Sequence, residues 1–223
     1  MNDLGKAFSF PFKDPAWVSK FVLAALFMVL AVFLVGIFIL AGYLVQVTQR
    51  VMRREEHVLP EWADVGVMLI VGFKFCVTYV IYLLPMLLLY VPFLIMVVMG
   101  TFVDNGESLD TITGLYLVCV VFLLVIPYSL VLTLLSPIIA YRFAERERIS
   151  DALDIGGVFK AFTRNWQSTA VVALIGMGLS SLAAIGVVFF IIGILFTIFY
   201  AYLVMAYMNG VLYVDQAKEQ AIA

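Results

Sequence analysis

The stretch FVLAALFMVLAVFLVGIFILAGYLVQVTQ, Phe21–Gln49, runs 29 residues without a charge. How it is read decides the fold. One tilted helix of that length suits a single bilayer crossing, because a hydrocarbon core about 30 Å thick needs about 20 helical residues. A hairpin of two shorter helices turning near Gly36 suits it as well. The flanking bases choose between the two. Lys6, Lys13 and Lys20 precede the stretch, and Arg50, Arg53 and Arg54 follow it. Positive residues favour the cytoplasmic side of a membrane. A single crossing puts one of these groups outside, whereas a hairpin keeps both inside.

Three further windows lack charge: Phe75–Val103 (29 residues), Thr111–Tyr141 (31) and Asn165–Val214 (50). Charge is costly in hydrocarbon, so such runs read as membrane-embedded. The last is long enough to cross twice, with a turn near Gly186 to Gly193; the other two fit one crossing each. The segment Asp104–Asp110 carries three acids and no base, and Arg142–Arg164 carries five bases. The first therefore reads as outside and the second as cytoplasmic. The expectation is an all-α polytopic transmembrane bundle of six membrane segments, with both termini cytoplasmic. Five spans with an outside N-terminus is the alternative.

The whole chain, 1–223, reads as one membrane domain. Residues 1–16 form an interfacial N-terminus and 17–49 the short hairpin. Residues 50–74 form a cytoplasmic loop with an interfacial helix from Trp62 to Lys74. Residues 75–103 and 111–141 are spans joined by an outside loop, 104–110. A second cytoplasmic loop with an interfacial helix fills 142–166. Residues 167–214 make a hairpin of two spans, and 215–223 a cytoplasmic tail.

Composition agrees with this reading. The chain is 65% hydrophobic and 13% charged, against about 45–50% and 25% for a soluble domain. Net charge is −2, and the bases form no large field, so nucleic acid is not an expected partner. Cys76 and Cys119 lie in apolar runs and read as buried thiols. No cleavable signal peptide is expected, because Asp3 and Asp14 precede the first apolar run and no small-residue cleavage site follows it. The four windows contain no Asp, Glu, Lys, Arg or His. That removes the usual residues of proton coupling and makes His-ligated haem unexpected. No cofactor and no enzymatic activity are expected.

Several local features carry sharper readings beside plainer ones. RVMRREEHVLPEW, Arg50–Trp62, holds the only histidine, His57, near Glu55, Glu56 and Glu61. A metal or acid–base site would use such residues, but one His in a flexible loop is thin support. A solvated loop with Glu–Arg pairing is the expectation, and Arg53, His57, Pro60, Glu61 and Trp62 are candidate docking residues on it. Pro85, Pro92, Pro127 and Pro137 fall in the two central spans and are expected to kink them. Gly176, Ser180 and Ala184 have small-xxx-small spacing, which permits close helix approach within the bundle or against a partner. In the loop after Arg142, Phe159, Phe162 and Trp166 are expected to face lipid, with Lys160 and Arg164 toward headgroups. A weak internal echo, FKDPAW against FTRNW, is followed in each case by a small-Tyr-Leu step, Gly42-Tyr43-Leu44 and Ala201-Tyr202-Leu203.

Three stretches together resemble a known family: LGKAFSFPFKDPAW at Leu4–Trp17, GYLVQVTQRVMRREEHVLPEW at Gly42–Trp62, and FYAYLVMAYMNGVLY at Phe199–Tyr213. They are similar to the prokaryotic membrane-protein family known as domain of unknown function 4013. The GY…R…LPEW part is the most specific. Members commonly have Gly where this sequence has Arg54, a departure that bears on the turn. The resemblance implies a membrane fold in a prokaryotic cytoplasmic membrane, and no catalytic residues. The leading functional expectation is a non-catalytic accessory or scaffold subunit, with the lipid bilayer and other membrane subunits or a second copy as partners. A small permease or lipid-handling protein is the alternative.

Overall fold

The computed structural model describes the backbone of residues 4–100, 113–116, 118–185 and 190–222. Among these residues there is no strand. The expected outside loop 104–110 and the turn residues 186–189 lie outside the described residues. The chain forms two units, Met1–Thr78 with Leu135–Ala223, and Tyr79–Leu134.

The decisive first window is two helices. Helix α1, Leu4–Ser9, and a 3₁₀ turn, Phe10–Lys13, lead into α2, Trp17–Leu30. A second 3₁₀ turn, Ala31–Phe33, and Leu34 at φ 63° then separate α2 from α3, Val35–Met52. A left-handed residue cannot continue a right-handed helix, so the chain changes direction there. The two helices lie back along each other. Lys20 and Tyr43, on opposite sides of the break, reach the adjacent carbonyls of Leu59 and Pro60. Gly36 permits the approach, because a Cβ there would sit 1.9 Å from the Phe27 carbonyl oxygen.

Helix α4 spans Val65–Gly100 without a break. The expected interfacial piece, Trp62 to Lys74, thus leads into the apolar part with no break from Val65 on. Lys74 lies inside α4 and its carbonyl accepts from Thr78. A single charged side chain does not interrupt the i→i−4 backbone ladder, so residues 65–74 continue into the apolar part. Glycines again set the packing: a Cβ at Gly42 of α3 would lie 1.9 Å from the Met68 carbonyl oxygen, and one at Gly72 of α4 would lie 1.7 Å from that of Phe38. The two helices thus cross backbone to backbone.

A wide π-type turn, Val121–Val125, precedes α5, Ile126–Arg146. Short helices α6, Ile149–Leu153, and α7, Ile155–Arg164, follow. Helix α8, Trp166–Ile185, and α9, Phe190–Ile222, pack on each other. Residues 190–193 of the expected turn and 215–222 of the expected tail belong to α9.

Helix α9 is the centre of the first unit. It packs on α3, where a Cβ at Gly210 would lie 2.6 Å from Val51 Cβ and Thr48 Oγ1 donates to the Ala206 carbonyl at 3.0 Å. It also receives the N-terminus: Tyr200 donates to the Phe8 carbonyl at 2.9 Å and Tyr207 stacks on Phe10 at 4.8 Å. The sequence echo does not extend to side-chain roles, since Tyr43 is buried and Tyr202 is 55% exposed.

The unit 79–134 is held differently. Tyr116 donates to the Leu89 carbonyl at 2.8 Å, and Tyr128 donates to the Tyr82 carbonyl. Each acceptor lies three residues before a proline, Pro92 or Pro85. Proline removes an N–H from the ladder and opens the helix wall beside it, so carbonyls there are accessible to a hydroxyl.

Among the described residues, four helices are long and apolar enough to cross a membrane: Val35–Met52, Val65–Met99, Thr113–Arg146 and Leu195–Lys218. Trp17–Leu30 is apolar but shorter.

Candidate functional site

The densest polar arrangement clamps the loop between α3 and α4. Lys20, at the start of α2 and 8% exposed, pairs with Asp14 Oδ2 at 2.6 Å and donates to the Leu59 carbonyl at 3.0 Å. Tyr43 of α3 donates to the Pro60 carbonyl at 3.2 Å. Arg50, in the last turn of α3, donates through Nη1 to the carbonyls of His57 (3.0 Å) and Leu59 (3.2 Å). Tyr43 and Arg50 are seven residues apart, which places them on one helix face.

Local chemistry shapes the loop to be gripped. Helix α3 ends with the Arg54 N–H donating to the Val51 carbonyl and the Glu55 N–H to that of Arg50. Arg54 itself sits at φ 56°. This is the Schellman closure, in which the residue after the C-cap is left-handed. Pro60 then disfavours helix at Leu59, leaving extended backbone whose carbonyls need donors. Trp62 stacks on Tyr43, with ring centroids 4.2 Å apart and planes at 19°, and touches Phe27 at 5.0 Å. Leu59 completes the seal, packed with Phe21, Tyr43, Met68 and Phe199 in the core.

The clamp is also an electrostatic unit. Burial opposes ionisation of Asp14, but the Lys20 ammonium, the Ala16 N–H at 2.8 Å and the charges of Lys20 and His57 outweigh it. The carboxyl is held below its ordinary value. Lys20, Tyr43 and Arg50 are engaged with backbone carbonyls of the loop, an arrangement that fixes its backbone.

The candidate docking residues divide. Arg53, His57 and Glu61 are exposed, and Glu55 pairs with Arg50 at 3.6 Å and Arg53 at 3.9 Å. That half of the loop matches the solvated expectation. Pro60 is buried and Trp62 points inward onto Tyr43, so these two serve the chain's own core rather than a docking face. The reason is that Pro60 and Trp62 follow the turn that brings the loop back onto α2 and α3. Among the described residues, no three of His, Cys, Asp and Glu converge as a metal site.

The small-residue face also divides. Gly176 is buried against α9, where a Cβ would lie 2.6 Å from Met205 Cε. Ser180 is exposed and donates to the Gly176 carbonyl at 2.8 Å. The side chain of Ala184 lies outside the described residues. Sequence reasoning passed over Lys20, Tyr43 and Arg50; the i, i+7 spacing of Tyr43 and Arg50 before LPEW was the available signal.

A second polar cluster lies where α5 ends. Arg142 donates to the Asp151 carbonyl at 2.9 Å and to Asp154 Oδ2 at 3.0 Å, while Asp154 Oδ1 accepts the Gly157 N–H at 3.1 Å. With Glu145, Arg146 and Asp151 these residues line an open polar recess of about 370 Å³. Gln49 of α3 ties in by donating to the Ala144 carbonyl (2.9 Å) and to Glu147 (2.8 Å).

Five residues of the clamp, Tyr43, Arg50, Leu59, Pro60 and Trp62, lie in the most specific stretch of the family resemblance. The family model described as Protein of unknown function (DUF4013) matches residues 23–197. The chain belongs to this family. No curated protein and no solved structure matches it. The left-handed backbone at Arg54 is one that Gly adopts without a Cβ penalty.

Proposed function

We propose that this DUF4013 protein is a non-catalytic accessory or scaffold subunit of a larger assembly in the prokaryotic cytoplasmic membrane. Six membrane segments, with both termini inside, suit its helices. At 14 residues, α2 is about 21 Å long, too short to cross the full core. It and α3 form a short hairpin entering from the cytoplasmic face, with Lys20 and Arg50 both at the open end. Helices α8 and α9 supply the final pair.

One observation carries the subunit reading. None of the most apolar window of Val65–Met99 and only 6% of that of Thr113–Arg146 is buried within the chain, against 44% for Val35–Met52 and 39% for Leu195–Lys218. An apolar helix surface left open in a membrane faces lipid or another protein. The clamp fits the same role, because it rigidifies the cytoplasmic end around which partners assemble.

The test is photo-crosslinking in native membranes, with benzoylphenylalanine placed in turn at Leu87, Leu94 and Leu123, all exposed. Discrete adducts heavier by a partner subunit or by a second copy are expected. Lipid adducts alone at every position would overturn the subunit reading and favour a lipid-handling protein.

A further inference from the structure

Helix α7 presents an apolar stripe that nothing in its own unit covers. Ile155 is 71% and Phe159 60% exposed, and Trp166, just past the helix, is 57% exposed. Ile155, Phe159 and Phe162 follow i, i+4, i+7 spacing and so share one face. Val158, one edge away, is 1% exposed and anchors the helix to the protein. Lys160 and Arg164 lie on the helix face away from the stripe; both are exposed, and neither has a carboxylate partner among the described residues.

The helix is held in place. Asp154 caps it through the Gly157 N–H and is itself gripped by Arg142 from the last turns of α5. Its other end runs through Asn165 directly into α8. A rigidly mounted helix between two apolar helices, apolar on one face and basic on the other, matches the layout of helices lying in the headgroup zone. We infer that α7 is a built-in anchor for an anionic bilayer surface, with Ile155, Phe159 and Trp166 in the acyl boundary and Lys160 and Arg164 on anionic headgroups. The occupant is lipid rather than protein because the two unpaired bases take the helix face away from the stripe, the polar face that lies among headgroups when the stripe is immersed. The inference rests on the membrane reading above.

The test uses the full chain with Cys76→Ala and Cys119→Ala, labelled at Phe159→Cys with an environment-sensitive fluorophore. Glu56→Cys, in the exposed loop, is the aqueous reference, and Ile155→Cys is the second reporter should Phe159→Cys not fold. The protein is placed in nanodiscs of phosphatidylcholine and phosphatidylglycerol. Position 159 is expected to be several-fold less accessible than position 56 to a water-soluble quencher. Spin-labelled phosphatidylglycerol is expected to quench it more than spin-labelled phosphatidylcholine at equal mole fraction, and Lys160→Gln with Arg164→Gln to abolish that preference. Aqueous accessibility equal to position 56, or equal quenching by the two lipids, overturns the inference. Failure to enter nanodiscs at all would instead refute the membrane reading, so the two failures are distinguishable.

Discussion

Arg54→Gly should stabilise the protein. Arg54 sits at φ 56° in the turn that closes α3, where its N–H donates to the Val51 carbonyl and that of Glu55 to the Arg50 carbonyl. A residue with a Cβ pays about 1–2 kcal/mol in this left-handed region. Glycine escapes that strain but gains freedom in the unfolded chain, which offsets about 0.4–1 kcal/mol. The Arg54 side chain is exposed and forms no ion pair among the described residues, so nothing else is lost. The balance is a gain of about 0.5–1 kcal/mol, or about 2 °C in Tm for a chain of this size. Thermal unfolding in one detergent, followed by tryptophan fluorescence, measures it. Arg54→Ala keeps the Cβ and should bring no gain, while Arg54→Val should lower Tm because branching at Cβ worsens the clash. An unchanged or lower Tm for Arg54→Gly, or an equal rise for Arg54→Ala, would refute the claim that this turn stores strain.

Lys20→Met should cost about 3 kcal/mol, because it strands Asp14, whose side chain is only 12% exposed, without its partner; Lys20→Met with Asp14→Asn should recover more than half in the same unfolding assay. Stability should fall as pH drops through the acidic range. Asp14 holds its proton less tightly folded than unfolded, so the unfolded state binds more protons there and the clamp's contribution, present above the ordinary value of 3.8, is lost as pH falls through the lowered one. In Asp14→Asn, Tm measured between pH 5 and pH 3 should decline less steeply than in the parent. Gly42→Ala should abolish the monodisperse peak in gel filtration, because its Cβ would lie 1.9 Å from the Met68 carbonyl oxygen. Gly178→Ala, where a Cβ would meet nothing within 4 Å, should leave the peak intact.

The break in the first window, at Ala31–Leu34, lies close to the Gly36 turn that the flanking bases suggested. The end of α3 was partly legible too: a turn had to fall between Arg50 and Pro60. The continuity of α4 was not, because Lys74 resembles a boundary by charge, and charge does not end a helix. Nor was the inward turn of Pro60 and Trp62, since a polar neighbourhood such as EEHVLPEW reads as solvated whichever way its last residues point.

Chain chemistry by itself determined which segments could lie in a membrane and which end of each loop carries the positive charge, because the cost of burying charge belongs to each residue type. Tertiary structure alone decided what holds those segments together. Lys20, Tyr43 and Arg50 grip the carbonyls of His57, Leu59 and Pro60, and Gly42, Gly72 and Gly210 meet backbone or side chains of neighbouring helices. Every residue carries a carbonyl, so nothing in the order of the letters marks which ones a distant donor will reach; only the packed helices select them.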